Sequence, residues 1–403
     1  MKRLLNLLFW SVIAAAFIGP GTVTTAARAG SDFGFALAWA LLFSTVACLV
    51  LQEASGRITV LTGKELGVAV RMRFASSRWA RWVPAVLAAG VVLGCAAYEA
   101  GNLLGGVAGL RLVVDVSAAR ATIACGVIAA GLLATGNTRW IARSLGALVA
   151  LMGIAFLVTA VRLGPDLGAL LAGLLVPRMP PGSMIFVLGL VGTTVVPYNL
   201  FLGSALARDH DLGEMRWGLT LAIVGGGLIS LGVLVVGSAL GGGLEYERLA
   251  AILTDRLGPG AEWSLAVGLF GAGLTSAVTA PLAAAITSRT LLGDGGGTRW
   301  DESSWRYRGV WIGVLLVGVV LGSTGVKPIP VIILAQAFNG LVLPLIAVFL
   351  WLTMNDRDLL GEAGINTRIQ NVVMGAVVFV CVALGLRGLL SAATSALALL
   401  VGS

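Results

Sequence analysis

Long apolar stretches separated by short polar segments occupy almost the whole chain. Eleven of them hold enough consecutive apolar residues, about 20 each, to cross a bilayer as a helix. They lie near residues 7–28, 33–56, 83–110, 119–136, 144–163, 183–206, 217–240, 262–290, 308–325, 329–353 and 371–398. The segments between them are short and polar, so we expect no separate soluble domain. The pattern predicts an all-α polytopic membrane protein with about 11 transmembrane helices.

Composition excludes the other large classes of protein. Of 403 residues, 58% are hydrophobic and only 11% are charged, whereas soluble domains carry about 25% charged residues. Such a chain cannot cover a water-facing surface, and it is too apolar to be disordered. Its four cysteines all lie inside predicted spans, where such residues are typical small buried hydrophobic groups; they are Cys48, Cys95, Cys125 and Cys381.

The formal net charge of +8 follows from the membrane orientation. With the N-terminus inside, eighteen Lys and Arg residues fall on the cytoplasmic side and eight on the outer side, as the positive-inside rule requires. We therefore expect an integral protein of a bacterial inner (plasma) membrane, with its N-terminus in the cytoplasm and its C-terminus outside. The basic charge needs no nucleic-acid partner to explain it.

Two predicted spans contain residues that interrupt a helix at mid-membrane depth. The first span has a proline between two glycines at residues 18–22, and the sixth has a proline among polar residues at 193–199. The breaks match if residues 7–163 and 183–353 are two inverted repeats of five spans, with 371–398 as an additional helix in one domain over 1–403. Inverted repeats with broken first helices are typical of LeuT-like secondary transporters, whose substrate site lies between the breaks.

The residues at both breaks also resemble a known family, the natural resistance-associated macrophage protein (NRAMP) type metal transporters. Residues 19–22 read Gly-Pro-Gly-Thr where that family has Asp-Pro-Gly-Asn, and residues 196–199 read Val-Pro-Tyr-Asn where it has Met-Pro-His-Asn. The Thr-Gly-Lys-Glu-Leu run at 62–66 and the Ala-Gln pair at 335–336 are also similar to the family. The resemblance extends to about residue 360 and implies eleven or twelve helices around a central site.

The resemblance fails at the positions that hold the metal in the family. Gly19, Thr22 and Val196 replace its aspartate, asparagine and methionine, and Tyr198 and Gly203 replace its two histidines. Stripping water from a divalent cation requires strongly donating or anionic ligands. We therefore expect no high-affinity Mn²⁺ or Fe²⁺ transport, no resident metal and no cofactor.

The remaining groups favour a small organic solute, a carboxylate or an amino acid, because a half-helix beginning after Gly21 offers free N–H groups to an anion. The expected substrate-binding residues are Gly19, Gly21, Thr22, Thr25, Val196, Tyr198, Asn199 and Gln336. Two alternatives stay open: a divalent cation, Mg²⁺ or Mn²⁺, carried with much of its water, and a channel or sensor with a degenerate transport fold. Nothing in the sequence indicates an enzyme.

A coupling ion, H⁺ or Na⁺, is expected to accompany the substrate. Glu99 lies in the middle of the third predicted span, where an ionisable group is costly and suggests a functional role. It is the candidate for proton coupling, and the alternative is a packing carboxyl that bonds Asn102 on the same helix face. A Na⁺ site would draw on Thr275, Ser276 and Thr279. The sequence leaves the oligomeric state open.

Overall fold

The computed structural model describes residues 18–135, 139–293 and 298–401. The start of the first predicted span, before residue 18, lies outside the described residues. In the described part of the chain, ten helical segments are long and apolar enough to cross a membrane. The prediction of an all-helical membrane protein is confirmed.

The first half of the described chain contains seven α-helices. Their bounds are α1 Pro20–Phe33, α2 Ala38–Thr62, α3 Leu66–Phe74, α4 Trp82–Arg111, α5 Ala118–Thr135, α6 Arg139–Leu163 and α7 Leu167–Leu175. The second half begins with the two helices of the sixth predicted span. The bounds there are α8 Met184–Thr194, α9 Pro197–Leu206, α10 Leu212–Ser238, α11 Tyr246–Leu257, α12 Ala261–Leu292, α13 Trp305–Ser323, α14 Pro328–Thr353, α15 Arg357–Gly364 and α16 Arg368–Val401.

A helix begins at a proline at each of the two predicted interruptions. α1 begins at Pro20 after the extended residue Gly19, and a proline is well placed at a first helical position because it needs no hydrogen-bond acceptor there. α8 ends at Thr194 and α9 begins at Pro197, so two residues between them are not helical. The sixth span is therefore broken as predicted, and α1 is the second half of the first span.

The structure also differs from the predicted spans. The second span runs from 38 to 62 instead of 33 to 56, because a turn that includes Gly34 at φ +56° separates α1 from α2. That turn lies within an apolar run, so hydropathy could not locate it. Four connections expected to be simply polar contain the short helices α3, α7, α11 and α15.

The interior of the bundle is built by close contact between helices of the two halves. α4 and α12 form the largest interhelical interface, and a Cβ at Gly273 would lie 2.5 Å from the Gly106 Cα atom. α4 also packs on α14, and α12 packs on α6. In two five-span repeats these are equivalent pairs, the third span with the tenth and the eighth with the fifth. α1 lies against α10 and α14, and α8 lies against α14 and α2.

Candidate functional site

The N-terminal turn of α1 lies directly against the side chain of Gln336 on α14. A Cβ at Gly21 would overlap the Gln336 amide, so only glycine permits this contact. Gln336 is 1% exposed, and its Oε1 atom has no hydrogen-bond partner. The fold therefore brings the carboxamide of Gln336 from the tenth span onto the first break, and its single oxygen atom is free to bind a ligand.

A hydrogen bond joins α1, in the first span, to α8, in the sixth span. The hydroxyls of Thr22 and Thr193 lie 3.0 Å apart and both are buried. Thr25 lies one turn further along α1, where its methyl group packs against Gly189 of α8. Its Oγ1 atom is buried and has no hydrogen-bond partner. α1 and α8 thus face each other through hydroxyl groups at the depth of the breaks.

Two tyrosines extend this polar region toward α9. The Tyr98 hydroxyl of α4 donates to the Gly192 carbonyl of α8 at 2.9 Å. The Tyr98 ring meets the Tyr198 ring edge to face, with centroids 5.8 Å apart. Asn199 follows on the first turn of α9, is 5% exposed and has an unpartnered Nδ2 atom. The second break therefore contributes an aromatic face and a free amide donor.

Gly19 and Val196 are the residues that precede the two half-helices. A Cβ at Gly19 would lie 3.6 Å from the Ser276 Oγ atom of α12, which places the eighth span beside the first break. Val196 is buried, and its carbonyl accepts a hydrogen bond from the Asn199 N–H at 3.0 Å. The neighbouring hydroxyls of Thr275 and Thr279 bond carbonyls of the preceding turn, so they are less available to a coupling ion than Ser276.

Glu99 lies next to Tyr98 in sequence but faces another helix. A Cβ at Gly318 of α13 would overlap the Glu99 side chain. Glu99 is fully buried, and neither of its carboxyl oxygens has a hydrogen-bond partner among the described residues. Asn102, whose amide the alternative interpretation pairs with Glu99, lies close to the carboxyl, but its Nδ2 atom has no hydrogen-bond partner within 3.5 Å.

The site also includes three residues that were not among the expected substrate-binding residues. Thr193 belongs to the polar run of the sixth span, and Tyr98 is next to Glu99 in the sequence. Both could therefore have been predicted from their neighbours. Tyr246 of α11 had no signal: its hydroxyl shares a 2.6 Å hydrogen bond with the Thr24 hydroxyl, 222 positions away. Burial raises the pKa of Tyr246 to about 12, so this hydroxyl stays protonated at neutral pH.

Two ion pairs between residues one helical turn apart lie outside the site. Arg28 and Asp32 are 2.6 Å apart on α1, and Arg57 and Glu53 are 3.4 Å apart on α2. All four cysteines are buried and free, as predicted. These groups stabilise the bundle and do not line the site at the breaks.

The site as a whole is a buried, electrically neutral set of hydroxyl and amide groups. An unpartnered buried polar atom costs about 1–3 kcal/mol, so a cluster of such atoms between two breaks is typical of a site for a polar ligand. Its unpartnered atoms are Thr25 Oγ1, Asn199 Nδ2 and Gln336 Oε1. Within residues 18–135, 139–293 and 298–401, no three His, Cys, Asp or Glu residues form a metal-ligand cluster. The donor set suits a neutral molecule, an anion, or a cation that keeps part of its water.

Comparison with known families identifies the same lineage as the motifs. The family described as natural resistance-associated macrophage protein-like matches residues 11–391. A divalent metal cation transporter of Deinococcus radiodurans is 29% identical, over 95% of this chain and 88% of its own length. A divalent metal cation transporter of Yersinia pestis is 25% identical, over 94% of this chain and 93% of its own.

Solved structures confirm the fold. The manganese transporter of Eremococcus coleocola has a TM-score of 0.73 at 18% identity, over 96% of this chain and 86% of that one. Mhp1, a nucleobase-cation-symport-1 family transporter, has a TM-score of 0.57 at 13% identity, over 97% and 93%. The predicted LeuT-like 5+5 inverted-repeat fold is therefore confirmed.

Proposed function

The chain belongs to the natural resistance-associated macrophage protein-like family, and on that premise we propose that it is a secondary transporter that moves a divalent metal cation by alternating access. The observation that carries this proposal is its similarity, over nearly its whole length, to relatives named as divalent metal cation transporters. The expectation of an organic solute as the main substrate finds no support in these comparisons, which favour the divalent-cation alternative.

The neutral site sets the manner in which a cation would bind. Uncharged oxygens do not compensate for complete removal of water from a divalent ion. The ion therefore keeps part of its hydration shell and uses Gln336 Oε1, the Thr22 and Thr25 hydroxyls and unwound backbone carbonyls for the rest. Val196 occupies the position of the family's methionine, so that position offers no soft donor to favour a transition metal. We infer that Mg²⁺ competes with Mn²⁺ on nearly equal terms.

We propose Glu99 as the group that couples transport to protons. Its burial without a hydrogen-bond partner supports this role, since such a carboxyl responds strongly to changes around it. Na⁺ beside Ser276 is the alternative coupling ion. We further propose two repeats over about 7–163 and 183–353, an N-terminus in the cytoplasm, a C-terminus outside, and location in the bacterial inner membrane.

The proposal is tested by cation uptake into proteoliposomes containing the purified protein. We expect saturable uptake of Mg²⁺ and Mn²⁺, weakened roughly tenfold by Gln336→Leu, which removes the free oxygen and preserves the side-chain volume. Thr220→Val on α10 is the matched control, because the Thr220 hydroxyl only bonds the carbonyl of Arg216. Absence of saturable uptake for every divalent ion would overturn the proposal.

A second candidate substrate is a small carboxylate. The unpartnered Asn199 Nδ2 donor on the first turn of α9 favours it, because the positive end of a helix attracts anions. Uptake of radiolabelled organic and amino acids by the same proteoliposomes distinguishes the two. Saturable uptake of an acid, lost in Asn199→Leu, together with no divalent uptake, would establish this candidate in place of the first.

A further inference from the structure

The segment that joins the second and third spans is strongly basic. Residues 66–82 contain four arginines and no acidic residue; the arginines are Arg71, Arg73, Arg78 and Arg81. Arg73 is paired with Asp356 at 3.0 Å, and the Arg78 guanidinium lies 5.1 Å from the centre of the Trp79 ring. Among the described residues, neither Arg71 nor Arg81 has an acidic partner.

These two unpaired arginines line the same hollow. It has a volume of about 380 Å³ between the end of α3, the start of α4 and the end of α12. Arg71 and Arg81 supply its charged side, and its remaining wall is mainly apolar, formed by Ala80, Pro84, Leu291, Leu292 and Gly293. A hollow with guanidinium groups on one side and apolar groups on the other matches a ligand that carries phosphate next to hydrocarbon.

Exposed aromatic residues place this hollow at the membrane surface. Trp79 and Trp82 are 51% and 66% exposed, and exposed tryptophans beside a spanning helix are typical of the membrane–water interface. The arginines lie on the side that the charge distribution assigns to the cytoplasm. An acidic phospholipid of the inner leaflet can therefore reach the hollow from the bilayer without entering the water.

We propose that this hollow binds the headgroup of an anionic phospholipid. Arg71 and Arg81 contact the phosphate, since guanidinium groups pair with phosphate through two hydrogen bonds, and the leucines and Pro84 contact the glycerol and the first methylenes. Basic pockets between spanning helices on the cytoplasmic side bind such lipids in other membrane proteins. The apolar wall is what favours a lipid over free phosphate. The site is independent of the transported substrate.

The test is retention of lipid by the full-length protein, measured by native mass spectrometry after mixing with phosphatidylglycerol or phosphatidylcholine. Wild-type protein is expected to retain phosphatidylglycerol selectively. The double substitution Arg71→Gln and Arg81→Gln should weaken that retention roughly thirtyfold, because each arginine near an anionic surface contributes about 1 kcal/mol. Ala80→Trp, which fills the hollow and leaves both charges, should weaken it as well.

The matched control is Arg306→Gln with Arg308→Gln. These arginines are also exposed, lie on the same predicted face and stand beside the exposed Trp305, but they do not line the hollow. Equal loss of lipid in both double variants would mean general charge attraction and would overturn the proposal. It would also be overturned if retention survived Ala80→Trp, or if millimolar inorganic phosphate displaced the lipid and protected the protein from heat equally well.

Discussion

At the scale of single residues, the candidate site differs in charge from the motifs of its family. Gly19 stands where the family has a carboxylate, and Thr22, which stands where the family has an asparagine, shares a hydrogen bond with Thr193. Gln336 and Asn199 remain with unpartnered polar atoms. If transport is coupled to protons as proposed, Glu99, which packs against Gly318 of α13, is the ionisable group that supplies the charge.

The role of Glu99 is tested by Glu99→Gln, which keeps the volume of the side chain and removes its titration. We expect transport in this variant to lose its dependence on a pH gradient while the fold is retained, because an amide is neutral at every pH. Uptake measured at several internal and external pH values checks this. Glu302→Gln, an exposed carboxyl of a surface ion pair, should keep the wild-type profile. A wild-type profile in Glu99→Gln would refute proton coupling through this residue.

The contact between Gly21 and Gln336 predicts a strong effect for Gly21→Ala. The added methyl overlaps the Gln336 amide, and overpacking of this kind costs about 1–3 kcal/mol. Transport should fall at least tenfold because the amide is displaced. Adding Gln336→Ala should recover the thermal stability but not transport, which separates packing from binding.

Gly225→Ala is the control for that experiment. Gly225 lies in α10, and no atom outside its own helix backbone lies within 4 Å of the position that a Cβ would take there. An added methyl group should therefore be neutral or stabilise the helix by about 0.5–1 kcal/mol. Cation uptake and thermal melting are measured for wild type, Gly21→Ala, the double variant with Gln336→Ala, and Gly225→Ala. Equal transport by Gly21→Ala and wild type would exclude Gln336 from the site.

At the scale of helices, polar side chains fix how the additional helix α16 joins the bundle. Arg57 of α2 is only 5% exposed and donates to Asn366 Oδ1 at 2.5 Å and to Gln370 Oε1 at 3.2 Å. Glu53 is bound by Arg57 and by Arg216 of α10. Arg57 thus links α2 to α16 and to Asn366, just before that helix, while Glu53 links α2 to α10.

We therefore expect Arg57→Met to loosen α16. Loss of buried charged hydrogen bonds should lower stability by about 1–3 kcal/mol, and amide hydrogen exchange should increase in residues 368–392. Arg73→Met breaks the exposed pair with Asp356, and such pairs contribute about 0–1 kcal/mol, so it should leave exchange in α16 unchanged. Identical exchange in Arg57→Met and wild type would assign the attachment of α16 to apolar packing alone.

At the scale of the whole molecule, the orientation in the membrane predicts which loops face the cytoplasm. All four native cysteines are buried, so single added cysteines report on accessibility with little background. In whole cells, a membrane-impermeant maleimide should label Ser117→Cys, before α5, and should not label Ser76→Cys, after α3. Both positions are exposed. The reverse labelling would invert the topology and would move the basic hollow to the outer face.

Much of this architecture could be predicted from the sequence, because the signals are local. A span is a run of apolar residues, and a proline between glycines interrupts a helix regardless of what surrounds it. These rules correctly predict the fold and the break at 195–196. They miss the turn at Gly34 and the four short helices, since hydropathy alone cannot distinguish a turn or a short surface helix within such segments.

The residues alone are enough to predict a membrane transporter of inverted-repeat type, with two helix breaks at 18–22 and 193–199 that contain no acidic residue. The assembly of the candidate site appears only in the folded chain, where Gln336 Oε1 is unpartnered, Thr22 bonds Thr193 and Glu99 faces Gly318. The physical reason is distance along the chain. These contacts join residues more than 170 positions apart, and their geometry depends on how closely glycines let the helices approach, which no local pattern specifies.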